Sequence, residues 1–187
     1  LQAGNVNSGS FDPLEQVCEA AQTAGAWVHV DGAFGLWANA AESTRHLVSG
    51  IEKANSWATD GHKWLNVPYD CGVAVVTEIE SLRRAVAMTA AYLPDSEGRQ
   101  PIDFTPESSR RARGVEVWAA LRSLGRSGVA ELIERNCRFA RRFAAIVGEA
   151  GIEVLNDVCL NQVVLAFGVK ERTARVLEKI QQDGTFW

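Results

Sequence analysis

The sequence is poor in most of the features that would assign it to a specialised class. No uninterrupted apolar run reaches the roughly 18 residues that a helix needs to span a bilayer. The opening Leu1-Gln2-Ala3-Gly4 is no signal peptide. The four cysteines, Cys18, Cys71, Cys137 and Cys159, are scattered, with no CxxC and no metal-ligand spacing. Reduced thiols in a cytosolic protein are the expectation. The formal net charge is -4, which argues against a nucleic-acid partner. The one basic run, Arg110-Arg111-Ala112-Arg113, reads as a helix start with internal ion pairs. No GxGxxG follows a candidate strand, so the dinucleotide-binding reading lacks its fingerprint. Repeats and low-complexity segments are also missing.

What remains is ordinary globular material. The chain has 187 residues, 47% hydrophobic and 22% charged, enough for a domain with its own core. Both ends look internal to a longer protein. Leu1 is not an initiator methionine, Leu1–Gly4 resembles the tail of a buried strand, and Thr185-Phe186-Trp187 reads as the start of another.

Helices and strands alternate along the chain. Asp12-Pro13 suits a helix start, with Asp12 as N-cap, and a helix follows to about Ala24, stopped by Gly25. Ala26–Asp31 is a short buried strand, residues 43–53 carry a weak helical pattern, and Asn55–Asp60 is a second strand. Gly72–Thr77 is almost continuously apolar, as a strand covered on both faces would be. Helices are expected over Arg113–Leu124, Val129–Glu149 and Glu171–Gln182, and strands over Ile152–Leu155 and Gln162–Phe167. This order means an α/β architecture. The expected division is 1–125 for the main domain and 126–187 for a linking helix and the start of a smaller one. Between Ala90 and Glu107 lies a long loop carrying Pro94, Gly98, Pro101 and Pro106, long enough to have a function.

The chemistry concentrates at two strand ends. Asp31 stands where the first strand runs out, and Lys63 follows the second. Ligands of open α/β sheets bind beyond the carboxyl ends of strands. A desolvated lysine is a nucleophile that forms an imine with an aldehyde, and a carboxylate keeps a pyridine nitrogen protonated. The pair is the equipment of a pyridoxal phosphate (PLP) site, in which the cofactor carries the chemistry and the protein tunes it. Gly32 and Ala33 leave room for a flat ring. The plainer readings stand beside these: Lys63 as a solvated charge, Asp31 as a cap or turn residue. His62 reads either as a donor to the cofactor phosphate or as a satisfied structural histidine. His29 faces either packing or substrate. A metal site of His29, Asp31 and His62 lacks a further ligand at convincing spacing, and no metal is expected.

The run His29-Val30-Asp31-Gly32-Ala33-Phe34-Gly35 and the run Asp60-Gly61-His62-Lys63-Trp64-Leu65-Asn66-Val67-Pro68-Tyr69-Asp70-Cys71-Gly72 resemble the group II PLP-dependent amino acid decarboxylases of fold type I. Gly4–Pro13 is similar to the segment preceding the aspartate strand in that family. A DG…HK pair is shared with cysteine desulfurases; the continuation from Trp64 to Gly72 favours the decarboxylases. The likeness covers most of the chain and weakens after about Ala150. It implies a mostly parallel sheet flanked by helices, here truncated at both ends.

The resemblance also implies roles. Lys63 carries the cofactor as an imine, Asp31 pairs with the ring nitrogen, Ala33 packs on a ring face and His62 lies near the phosphate. Asn5 falls where relatives often carry a threonine near the cofactor's phenolic oxygen. Tyr92, 29 residues after Lys63 in the long loop, matches a tyrosine that protonates the substrate carbon after carbon dioxide leaves; a phenylalanine there goes with oxidative side chemistry. A packed loop tyrosine is the plain alternative. The implied protein is a cytoplasmic, homodimeric carboxy-lyase acting on an L-amino acid, with ring-stacking and phosphate-loop residues upstream of Leu1. Rival readings are an aminotransferase, a cysteine desulfurase, a sphingoid-phosphate lyase, or a non-catalytic PLP-binding fragment.

Overall fold

The structure is a computed structural model, and it describes residues 1–88 and 98–185. Its centre is a sheet of three strands, β1 (His29–Asp31), β2 (Ser56–Asp60) and β3 (Gly72–Val76), in that spatial order. β1 and β2 run parallel, with His29 beside Ser56 and Asp31 beside Ala58. Residues 1–3 extend the sheet on the far side of β1. Asp31 N–H donates to Leu1 O and Ala3 N–H to Asp31 O, each at 2.8 Å. Leu1–Ala3 therefore behaves as the tail of a strand.

β3 departs from expectation. It pairs antiparallel with β2 and is exposed along much of its length, with Val75 46% exposed. Among the described residues nothing covers its outer face, so a run that reads as doubly buried lies open.

Helix α1 (Leu14–Thr23) buries Leu14 and Cys18. Asp12 does not cap it. The Asp12 carboxylate instead accepts the backbone N–H of Gln2 at 2.7 Å, tying the helix approach to the strand tail. The segment after β1 winds through three 3₁₀ turns, Gly35–Ala40, Arg45–Val48 and Ile51–Lys53, where the sequence shows only a weak helical pattern from residue 43. Thr44 is buried there, and its hydroxyl donates to Ala38 O at 2.8 Å. On the surface Lys53 pairs with Glu15 at 2.7 Å and with Glu19, joining the last 3₁₀ turn to α1. The short helix α2 (Ile79–Val86) and a 3₁₀ turn at Pro101–Phe104 were not legible in the sequence.

Helix α3 (Arg113–Glu149) joins the two helices expected from the sequence; Gly125 breaks its regularity at φ 63° and ψ -179°. Past the break, Val129, Ile133, Cys137 and Ala140 form the buried stripe, the spacing of one helical face. Ile133 and Cys137 enter the same core as Ala3, Val30, Trp64 and Leu160. A small hairpin, β4 (Glu153–Val154) and β5 (Leu165–Ala166), and helix α4 (Lys170–Asp183) complete the described chain. Asn156 anchors the hairpin loop by donating to Ser8 O at 2.8 Å and accepting Val164 N–H at 2.8 Å. All four cysteines are free, and burial pushes the thiols of Cys18, Cys71 and Cys137 up. No described helix is long and apolar enough to cross a membrane.

The turn after β1 packs backbone to backbone on the strand tail. A Cβ on Gly35 would lie 2.3 Å from Ala3 O and 2.6 Å from Gly4 N. Gly35→Ala is therefore expected to lower stability by about 1–3 kcal/mol, the scale of overpacking a tight site. Gly148→Ala, where nothing lies within 4 Å, should change it by less than about 1 kcal/mol. Urea denaturation of the two variants checks the contrast; equal effects would contradict it.

Candidate functional site

Parallel pairing brings the carboxyl ends of β1 and β2 to one edge. Alternation along a strand sends His29 and Asp31 to one face, and the register puts Ser56, Ala58 and Asp60 on the same face. His29 Nδ1 lies 2.8 Å from Ser56 Oγ, so His29 is held by its neighbour strand. Asp31 is exposed at the strand end. One carboxylate oxygen accepts the N–H of Ala33 at 3.1 Å. That contact fixes the side chain at the head of the turn.

Lys63 lies three residues beyond the end of β2. Its Nζ is 2.9 Å from Asp60 Oδ2 and 4.0 Å from the centre of the Phe34 ring. The ammonium is thus held between a carboxylate and an aromatic face, both attractive to a cation. Phe34 comes from the turn after Asp31, so that turn reaches the lysine. Phe34, Lys63, Trp64, Asn66, Asn136 and Asn161 line a cleft of about 370 Å³, within the size of small-molecule sites. Trp64 Nε1 is buried without a hydrogen-bond partner among the described residues. A buried, unpaired donor costs free energy.

The turn Lys63–Asn66 follows from its sequence. Asn66 takes φ 52°, a left-handed conformation that asparagine tolerates, and its N–H donates to Lys63 O at 3.2 Å. His62 is a brace. His62 Nδ1 lies 3.0 Å from Cys71 N and 3.1 Å from Cys71 O. Nε2 lies 3.6 Å from Asp60 Oδ2, and the ring packs on Tyr69 at 4.2 Å between centroids. The ring is thus bound and packed within the loop that carries Lys63. Asn5 is similarly engaged: Oδ1 accepts Asn7 N–H at 2.9 Å and Nδ2 donates to Gln2 at 2.9 Å. It shapes its own loop. Tyr92 lies outside the described residues. Among the described residues no His, Cys, Asp and Glu cluster could hold a metal ion.

Two features escaped the sequence reading. Asp60 is the immediate partner of Lys63, and only its spacing three residues ahead of the lysine hinted at this. The arginine run does make ion pairs, but most reach outside the helix. Arg113 meets Asp70 at 2.9 Å and Glu107 at 2.9 Å, while Arg111 meets Glu116 at 3.2 Å.

Such a site, with a lysine and an aspartate at neighbouring strand ends of an α/β sheet, defines a class of cofactor enzymes. Residues 1–168 match the pyridoxal-dependent decarboxylase conserved domain, and the chain belongs to that family. It is 31% identical over 150 residues to tyrosine decarboxylase of Papaver somniferum, covering 78% of this chain and 29% of that protein. To the aromatic-L-amino-acid decarboxylase of Bacillus atrophaeus it is 31% identical over 153 residues, covering 79% of this chain and 32% of the relative. The solved structure of Oryza sativa TDC with PLP and tryptamine superposes with a TM-score of 0.88 at 25% identity, covering 98% of this chain and 41% of that one. The chain thus spans about a third of the length of the curated relatives it matches. The likeness extends to fold type I, as the α/β alternation implies.

The Arg113 guanidinium beside Asp70 holds its carboxyl below the usual carboxylate range. A depressed native pKa contributes stability above the unfolded value of about 3.9 and loses it as pH falls through the native pKa. Arg113→Gln should therefore bring Asp70 back towards about 3.9 in an NMR titration. The difference in Tm between variant and parent should shrink as the solution is acidified below that value. An unchanged Asp70 titration would show that the pair does not persist in solution.

Proposed function

We propose that the parent protein is a PLP-dependent carboxy-lyase converting an L-amino acid to its amine and carbon dioxide. The observation that carries this reading is Asp31 at the end of one parallel strand and Lys63 just beyond the end of its neighbour, with Phe34 against the lysine and a cleft beside it. The residues fit the cofactor: an amine for its aldehyde, a carboxylate for its ring nitrogen, small Gly32 and Ala33 beside the ring's place, and Trp64, whose buried indole N–H is unpaired, among the residues that line the cleft.

When bound, pyridoxal phosphate supplies an acceptor for the electron pair released as the carboxylate leaves. Lys63 would hold the cofactor's aldehyde carbon through Nζ, and would yield that place to the substrate amine. Asp60 and Phe34 hold Nζ at rest, facing the cleft. Asp31 would keep a proton on the ring nitrogen, with the Ala33 N–H steadying its carboxylate. Ala33 would border the ring. His62 would serve by bracing the lysine loop beside the phosphate's place, and Asn5 by ordering the loop that flanks β1. Tyr92 would deliver the proton to the substrate carbon.

The same reading takes residues 1–125 as the later half of the cofactor-binding domain and 126–187 as the link to a smaller one. It takes the parent as a cytoplasmic homodimer. Names of the relatives point to an aromatic L-amino acid substrate.

In the full-length parent, Asp31→Ala should lower carbon dioxide release by about a hundredfold or more, equal to about 2.7 kcal/mol of barrier, while Lys63 still captures PLP. Full turnover in that variant would remove Asp31 from its assigned role. Tyr92→Phe should raise the oxidative side product at the expense of amine; an unchanged product ratio would count against Tyr92 as the proton donor.

A further inference from the structure

Lys63 sits in an excursion between β2 and β3 that has little regular structure to hold it. At its base, Gly61 N–H donates to Cys71 O at 2.9 Å, and the Cys71 backbone meets His62 Nδ1. Its outer turn, Pro68-Tyr69-Asp70, is held by a side chain. The Arg111 guanidinium donates to three successive carbonyls: Nη2 to Pro68 O at 3.1 Å and to Asp70 O at 2.9 Å, and Nη1 to Tyr69 O at 3.2 Å. Arg113 adds Nε to Asp70 O at 2.9 Å and grips the Asp70 carboxylate, while its Nη1 holds Glu107. Glu116, in the first turn of α3, pairs with Arg111.

These contacts need arginine. A guanidinium offers five N–H donors in a fixed plane, whereas an ammonium is a point charge with three donors. Each bond has a charged donor and is stronger than a neutral one. The bonds join the lysine excursion to residues more than forty positions later, immediately ahead of α3.

We propose that Arg111, supported by Arg113, is a positioning residue for Lys63. Its guanidinium fixes the outer turn of the excursion, and the Cys71–His62 and Cys71–Gly61 contacts carry that order to the lysine. Capture of the cofactor then depends on a side chain that need not touch it. The inference rests on Lys63 being the cofactor lysine.

The test follows PLP capture by the 187-residue chain, read by borohydride reduction and peptide mass mapping, with hydrogen exchange at Gly61 and Cys71 in parallel. Arg111→Ala should slow labelling of Lys63 by about tenfold or more, the scale of one lost charge-assisted hydrogen bond. Labelling of the exposed Lys179 should not change. Exchange at Gly61 and Cys71 should rise while Ile133 in the core of α3 stays protected, which separates a loosened loop from a lost fold. Arg111→Lys should not restore capture, and added guanidinium ion should partly restore it in Arg111→Ala. Labelling of Lys63 at the parent rate in Arg111→Ala, or full restoration by Arg111→Lys, would overturn the proposal. If the parent chain leaves Lys63 unlabelled while Arg111→Ala still raises exchange at Gly61 and Cys71, the clamp stands and the assignment of Lys63 falls.

Discussion

The parallel pairing of β1 with β2 is the constraint on which the site depends. Asp31 and Lys63 are distant in sequence, and neither has a special environment alone. The register that sets Asp31 beside Ala58 puts both strand ends on one edge, and the side-chain period of two puts Asp31 and Asp60 on one face. A slip of one residue would turn Asp60 to the opposite face and take with it the partner that holds Nζ. The pairing is guarded on both sides. Backbone hydrogen bonds from Leu1 and Ala3 hold β1, and the close approach of Gly4 to Gly35 fixes the turn that follows.

Around this frame the polar contacts divide into two kinds. Lys53 with Glu15 and Glu19 lies at the surface, where ion pairs contribute little. The contacts of the lysine excursion order backbone that has no ladder to join. His62 meets the Cys71 backbone, Asn66 turns the chain through a left-handed conformation, and Arg111 gathers three carbonyls. The excursion is thus specified by side chains, which is how a catalytic lysine can stand on a loop and keep a defined direction.

Much of this was legible in the sequence. The strand ends at Asp31 and Asp60, the stop at Gly25, the break at Gly125 and the α/β order follow from local patterns that depend on near neighbours. The matching family motif around Lys63 made the chemistry readable. What was missed depends on distant partners. Asp12 looks like a cap, yet its carboxylate is taken by Gln2 N–H. Gly72–Val76 has the composition of a buried strand, but composition does not report what lies beside it. Arg111 reads as part of a basic helix start, because nothing local shows that its acceptors are the carbonyls of residues 68–70. His62 is ambiguous for the same reason, since its partner is the backbone of Cys71, nine residues on.

The central claim is that Lys63 is the residue that holds the cofactor. Its most direct test is borohydride reduction of this chain in the presence of PLP, followed by peptide mapping of both the parent chain and Lys63→Ala. The account predicts one dominant pyridoxyl adduct, on Lys63, lost without replacement in the variant. Labelling spread over the surface lysines, with Lys63 unmodified in the fragment and again in the full-length protein, would contradict it.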